Sequence, residues 1–112
     1  MKRSRVVSLR TSDQHVDVGV SLHEQGHYED ALKHYRQALK LQPKNSTAAF
    51  NLGVALEDLG RLKQAANAYS KCLASDARYA DAHFNLAGVL ERLGDKHGAI
   101  RHLAKYRQAS LF

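Results

Sequence analysis

His23 and His27 stand four residues apart, the spacing at which two imidazoles on one helix can share a metal ion. Gly26 falls between them and breaks any helix that carries His23, so the spacing loses that meaning. No acidic or cysteine ligand is placed to complete a site, and no metal or other cofactor is expected. Cys72 is the sole cysteine, which excludes a disulfide framework and a cysteine-rich zinc fold. It has no paired thiol and no strong basic cluster to activate it, so it reads as an inert core thiol. There is no glycine-rich phosphate loop, no nucleophile elbow and no acid pair held by a rigid sheet, and catalysis is not expected. The recurring polar residues are instead amides, Asn51 and Asn85, and a scatter of carboxylates.

The elements that position these groups belong to one small domain, since the chain has 112 residues. A single proline argues against a loop-rich all-β fold, and 44% apolar with 25% charged residues is ordinary for a globular chain. The net charge of +6 suggests polyanions as partners. The opening Met1-Lys2-Arg3-Ser4-Arg5 is basic, but the apolar stretch after it is only Val6-Val7-Ser8-Leu9, short of the ~7–15 residues of a signal-peptide core. No run approaches the ~20 apolar residues of a membrane span. A cytoplasmic protein with a flexible basic arm over 1–11 and no membrane contact is expected.

Gly26, Gly60 and Gly94 are spaced by 34 residues, and the same phrase returns around each. Val18-Gly19, Leu52-Gly53 and Leu86-Ala87 precede them; Ala31, Ala65 and Ala99 follow. The units are 12–45, 46–79 and 80–112. In the second, Phe50, Leu52, Val54, Leu56 and Leu59 recur at helical spacing before Gly60, and Leu62, Ala65, Ala66, Tyr69, Cys72 and Leu73 after it. Each unit therefore reads as two helices with a glycine break whose positive φ lets the chain turn back. Helices are expected over 13–24, 28–41, 47–58, 62–75, 81–92 and 96–108, with Asn45-Ser46 and Asp95 as helix starts. The small residues Gly19, Gly53 and Ala87 are expected opposite Ala31, Ala65 and Ala99, where two helices approach closely.

This pattern resembles the tetratricopeptide repeat (TPR) over residues 12 to 112. The first unit carries Gly19, Gly26, Tyr28, Ala31, Tyr35, Ala38 and Pro43 at the family's places. The second departs at Cys72 and Ala77, and the third at Ala87, Lys96 and Leu103. Phe50-Asn51-Leu52-Gly53 and Phe84-Asn85-Leu86-Ala87 are similar to the Asn-Leu-Gly/Ala type of bacterial TPR proteins and of the superhelix of O-linked N-acetylglucosamine transferase. The resemblance implies an all-α, right-handed α-solenoid of three helix-turn-helix units. It also implies that the first helices line a concave groove and the second helices form the back.

On that geometry the charge divides. The first-helix windows hold Asp13, Asp17, Glu24, Glu57, Asp58, Asp81 and Glu91 against Arg92 alone, a net −6. The second-helix windows hold twelve Lys and Arg against four acids, a net +8, and the arm adds +4. The family's groove positions fall on Asp13, Val16, Asp17 and Val20, then Thr47, Phe50, Asn51, Val54 and Asp58, then Asp81, Phe84, Asn85, Gly88 and Arg92. Val16, Val20, Phe50, Val54 and Phe84 would form an apolar strip. Asn51 and Asn85 would hold a peptide backbone, since an amide both donates and accepts. Asp13, Asp17, Asp58 and Asp81 would select Lys or Arg side chains on that peptide. The expected function is thus non-enzymatic protein–protein interaction, with a basic peptide segment as partner.

The clamp by which some TPR domains hold the acidic C-termini of Hsp70 and Hsp90 needs Lys and Asn at the places of Val16 and Val20, and Lys and Arg at those of Asp81 and Asn85. Only Asn51 matches, and clamp function is not expected. Nucleic-acid binding is disfavoured as well. Lys33, Arg36, Lys40, Lys63 and Lys71 lie on exposed positions without a reading motif, and Tyr28, Tyr35, Tyr69 and Tyr106 fall mostly at packing positions. His15 and His83 are expected to pack between helices. The alternative function is self-association. The last helix bears Ile100, Leu103 and Tyr106, followed by Leu111 and Phe112, with no further helix to cover them. Either Leu111-Phe112 folds back over this end or a second copy covers it, forming a homodimer.

Overall fold

The computed structural model describes residues 10–111, and Phe112 and residues 1–9 of the basic arm lie outside the described residues. Six helices follow one another: α1 (Ser12–Glu24), α2 (Tyr28–Leu41), α3 (Ser46–Asp58), α4 (Leu62–Ser75), α5 (Ala80–Arg92) and α6 (Lys96–Ala109). Among the described residues there is no strand. Each bound lies within one residue of that expected from the 34-residue period.

Local chemistry sets these bounds. Gly26, Gly60 and Gly94 have φ of 83°, 76° and 92°, and they alone among the described residues adopt positive φ. The reversal closes the helix end: His27 N–H donates to the Leu22 carbonyl at 2.8 Å, repeated by Arg61 to Leu56 and by Asp95 to Leu90. Asn45 and Asp95 cap α3 and α6 by accepting from the Ala48 and Gly98 amides. α1 has a cap not anticipated from the sequence. Thr11 accepts from the Gln14 amide while Gln14 reaches back to Thr11 N–H, so Thr11 is the helix cap rather than part of a free arm.

Each helix packs on the next, and α1 also touches α3, which puts the first helices on the inner side of the curve. The result is an elongated body of 65 × 29 × 19 Å. A contiguous core runs between the repeats, with Leu32, Tyr35, Leu56, Tyr69, Cys72, Leu86 and Val89 sealed from solvent. The Cys72 thiol is pushed up to about 12 by burial, with the Asp76 charge adding to it, in keeping with an inert core residue. A buried polar relay joins α1, α2 and the residue that caps α3. Ser12 Oγ donates to the Ala38 carbonyl at 2.8 Å and accepts from Asn45 Nδ2 at 2.8 Å.

The close approach inside a repeat is made by a ring. A Cβ on Gly19 would lie 2.5 Å from Tyr35 Cε1, and one on Gly53 2.5 Å from Tyr69 Cε1. The tight partner is therefore the tyrosine rather than Ala31 or Ala65, because the flat ring lies directly over the glycine Cα. In the third repeat the two positions change together, to Ala87 and Leu103.

No helix of the described residues is long and apolar enough to cross a membrane.

Candidate functional site

The inner face is built from α1, α3 and α5. Residues one repeat apart form rows across it: Asp13, Thr47, Asp81; Asp17, Asn51, Asn85; Val20, Val54, Gly88. Asp13, Asp17, Thr47, Asp81 and Gly88 are exposed, and Val20, Asn51, Val54 and Asn85 are half-buried.

The row Val16, Phe50, Phe84 does not form the expected groove strip. Val16 is buried in the core. Phe50 packs on the Tyr69 and Tyr79 rings, with centroids 5.7 and 5.1 Å away. Tyr79 is the cap residue of α5, so this row points toward the following repeat. Phe84, in the third repeat, is 53% exposed and stands beside the Tyr106 ring.

The two amides also part company. Asn85 Nδ2 donates to Tyr69 Oη at 3.3 Å, and Tyr69 Oη donates to Glu57 Oε1 at 2.8 Å. Arg92 lies 3.6 Å from Glu57 Oε2. Burial, reinforced by the bond to Glu57, pushes the Tyr69 hydroxyl well above its usual range, so it stays protonated and able to donate. Asn85 and Arg92 thus belong to a network tying the second repeat to the third. In the first repeat His23 occupies the place of Glu57, and its Nε2 reaches Asp58 Oδ2 at 2.6 Å. Tyr35 Oη is consequently buried without a hydrogen-bond partner among the described residues. Burial, with Glu24 nearby, raises that hydroxyl to about 12.

Among the proposed carboxylates, Asp58 is paired with His23, and Asp13 accepts from Asn45 Nδ2 at 3.1 Å. Asp17 and Asp81 stay exposed on either side of Asn51. The arrangement can therefore offer a half-buried amide and the apolar Val20 and Val54, flanked by two solvated carboxylates. Among the described residues no group of three His, Cys, Asp or Glu is close enough to hold a metal ion.

The histidines form two pairs that sequence reasoning did not join. His15 Nδ1 meets His34 Nδ1 at 3.0 Å, and His83 Nδ1 meets His102 Nδ1 at 2.9 Å. His83 Nε2–H donates to the Ala77 carbonyl at 2.8 Å, so its Nδ1 is the acceptor and His102 the donor. In the second repeat both positions are alanine, Ala49 and Ala68; this concerted change was the signal available. Burial, then the charges of His83, Arg101 and Lys105, lowers the His102 pKa against the opposing pull of Asp95. Burial, His15 and Arg10 lower that of His34 against Asp30. A histidine lowered on folding lends stability that is whole above the unfolded pKa of ~6.5 and is lost as pH falls toward the folded value. The urea midpoint is expected to fall between pH 7.5 and 5.5. His83→Ala/His102→Ala, which copies the second repeat, should shrink that fall; an unchanged slope would show that the pair carries none of it.

Comparison with known proteins agrees with this architecture. The tetratricopeptide repeat family model matches residues 19–71 and 56–110. No match was found among curated protein sequences. Among solved structures, MamA is similar with a TM-score of 0.83 at 22% identity, over 88% of this chain and 57% of that one. YrrB, described as a TPR protein with an unusual peptide-binding site, gives 0.80 at 22% identity, over 91% and 53%. The second TPR of Spaghetti (RPAP3), bound to the HSP90 peptide SRMEEVD, gives 0.86 at 17% identity, over 89% and 93%. The chain thus spans a little over half the length of the MamA and YrrB chains. With the glycine-broken helix pairs, the stacked repeats and the matching family model in agreement, the chain belongs to the tetratricopeptide repeat family.

Proposed function

We propose that this chain is a non-enzymatic protein–protein interaction module that captures an extended, basic peptide segment on its inner face. The supporting observation is the segregation of charge. The inner helices carry seven carboxylates against Arg92 alone, and Arg92 is already drawn to Glu57. Asn51 contributes backbone hydrogen bonds in both directions, Val20 and Val54 contribute apolar contact, and Asp17 and Asp81 attract Lys or Arg on the peptide. Asp13 and Asp58 extend the negative field while being held by Asn45 and His23.

The peptide-bound RPAP3 repeat shares the fold, and its ligand SRMEEVD carries three acidic residues. Here Val16 is buried and Asp81 stands exposed, so an acidic C-terminus meets a carboxylate where the clamp would offer a cation. Titration of the protein with a Lys/Arg-rich peptide and a Glu/Asp-rich peptide of equal length tests the reading. The basic peptide is expected to bind at least tenfold more tightly at low salt, and the gap should narrow as salt screens it. Equal or tighter binding of the acidic peptide at the inner face would end the proposal.

A further inference from the structure

The facing imidazoles that His23 and His27 do not supply occur twice elsewhere. His15 on α1 meets His34 on α2, and His83 on α5 meets His102 on α6. Each pair joins the two helices of one repeat, so neither depends on a neighbouring repeat. The ring centroids are 5.3 and 5.2 Å apart while the Nδ1 atoms are 3.0 and 2.9 Å apart, so the rings meet through their Nδ1 edges. Packing alone does not require this contact. In the second repeat the same two places hold Ala49 and Ala68, both buried, and the helices close over two methyl groups. The two positions are thus both histidine or both alanine within a repeat, and they behave as one unit.

The third-repeat pair is also held from behind. His83 Nε2–H donates to the Ala77 carbonyl at 2.8 Å, which fixes the ring and aims the Nδ1 lone pair at His102. A carbonyl or carboxylate on the far nitrogen is what orients most histidines that bind metals. In the free protein one proton bridges the two Nδ1 atoms. An ion lying ~2.0–2.1 Å from each nitrogen takes the place of that proton after a small tilt of the half-buried His102 ring. His102 gives up the proton on Nδ1 and takes one on Nε2, so both imidazoles stay neutral. Among the described residues no third His, Cys, Asp or Glu is close enough to join, so water completes the coordination.

We infer that each histidine pair chelates one divalent transition-metal ion of the class that prefers imidazole, with Cu(II) bound most strongly. Imidazole suits copper, nickel and zinc, and Cu(II) heads the affinity order for such donors. The surrounding charge selects in the same direction. Arg10 opposes Asp30 around His34, and Arg101 and Lys105 oppose Asp95 around His102. An ion held by charge alone, such as Mg(II), gains little at either place, so affinity comes from the two nitrogen bonds. This inference goes beyond the inner-face reading and does not rest on it.

The test titrates the full chain with Cu(II) at neutral pH in a non-coordinating buffer, read by calorimetry and electron paramagnetic resonance. One ion per pair is expected, with nitrogen hyperfine splitting, and the melting temperature should rise with Cu(II). His15→Ala/His34→Ala and His83→Ala/His102→Ala each copy the second repeat. Each should remove one ion and keep the other, a reciprocal pattern that misfolding cannot produce. The fourfold variant should lose both ions and the rise in melting. His34→Ala or His102→Ala alone should weaken the affected ion at least tenfold, because chelation is lost. His27→Ala/His97→Ala, which removes two exposed histidines, should leave the count unchanged, and Mg(II) should not shift the melting. Wild-type stoichiometry in the fourfold variant, loss of the ions in His27→Ala/His97→Ala, or an equal response to Mg(II) would each overturn the inference.

Discussion

Gly53→Ala is expected to lower stability by about 1–3 kcal/mol, although alanine is the better helix former. The gain in helix propensity is at most about 1 kcal/mol. Against it stands a methyl group 2.5 Å from Tyr69 Cε1 and 2.7 Å from Cδ1, in a ring sealed from solvent and held by Glu57 and Asn85. Forced overpacking of this kind costs about 1–3 kcal/mol or more. The same substitution at Gly88, on α5 at the place that Val54 holds one repeat earlier, carries the opposite sign. A methyl there meets no atom within 4 Å, so Gly88→Ala should stabilise by about 0.5–1 kcal/mol. Urea unfolding of both variants checks the contrast. The double variant Gly53→Ala/Tyr69→Leu copies the Ala87/Leu103 pair of the third repeat, and it should lose less stability than its two single changes summed. Strict additivity would mean that ring and glycine are not coupled.

The second large effect concerns the two asparagines, which look equivalent in sequence and are not equivalent in structure. Asn51→Ala should weaken binding of a basic peptide about tenfold and leave the melting temperature within a degree or two. That loss corresponds to about 1.4 kcal/mol, the scale of one to two peptide hydrogen bonds. Asn85→Ala should instead lower stability by about 0.5–1.5 kcal/mol, since Asn85 is bonded to Tyr69 across the interface between repeats. Calorimetric titration beside thermal melts separates the two. A reversed pattern, with Asn51 structural and Asn85 binding, would displace the site by one repeat.

Helix bounds were legible because glycines in the left-handed region recur at Gly26, Gly60 and Gly94, and a chain reversal there admits few alternatives. The direction of a given side chain was less legible. Val16, Phe50 and Phe84 share one register yet are buried, half-buried and exposed, because each meets different neighbours, Phe50 the Tyr69 and Tyr79 rings and Phe84 the Tyr106 ring. The period alone names the row and not its neighbour. The bond of Asn85 to Tyr69 was not legible for a similar reason: it depends on Tyr69 and Glu57, and the clue lay in His23 replacing the glutamate one repeat earlier. The glycine–tyrosine contact was in principle readable, since Ala87 and Leu103 depart together in the third repeat. The net charge of +6 misled until it was divided along the sequence, because the first-helix windows are net negative while the second-helix windows and residues 1–11 carry a larger positive charge.

The central claim is that the inner face, and not the basic back, receives the partner peptide. Backbone amide shifts of isotope-labelled protein, followed during titration with a Lys/Arg-rich peptide, test it most directly. The account predicts shifts concentrated on α1, α3 and α5 around Asp17, Thr47, Asn51, Val54 and Asp81. Shifts concentrated on α2 and α4, around Lys33, Arg36, Lys63 and Lys71, would contradict it.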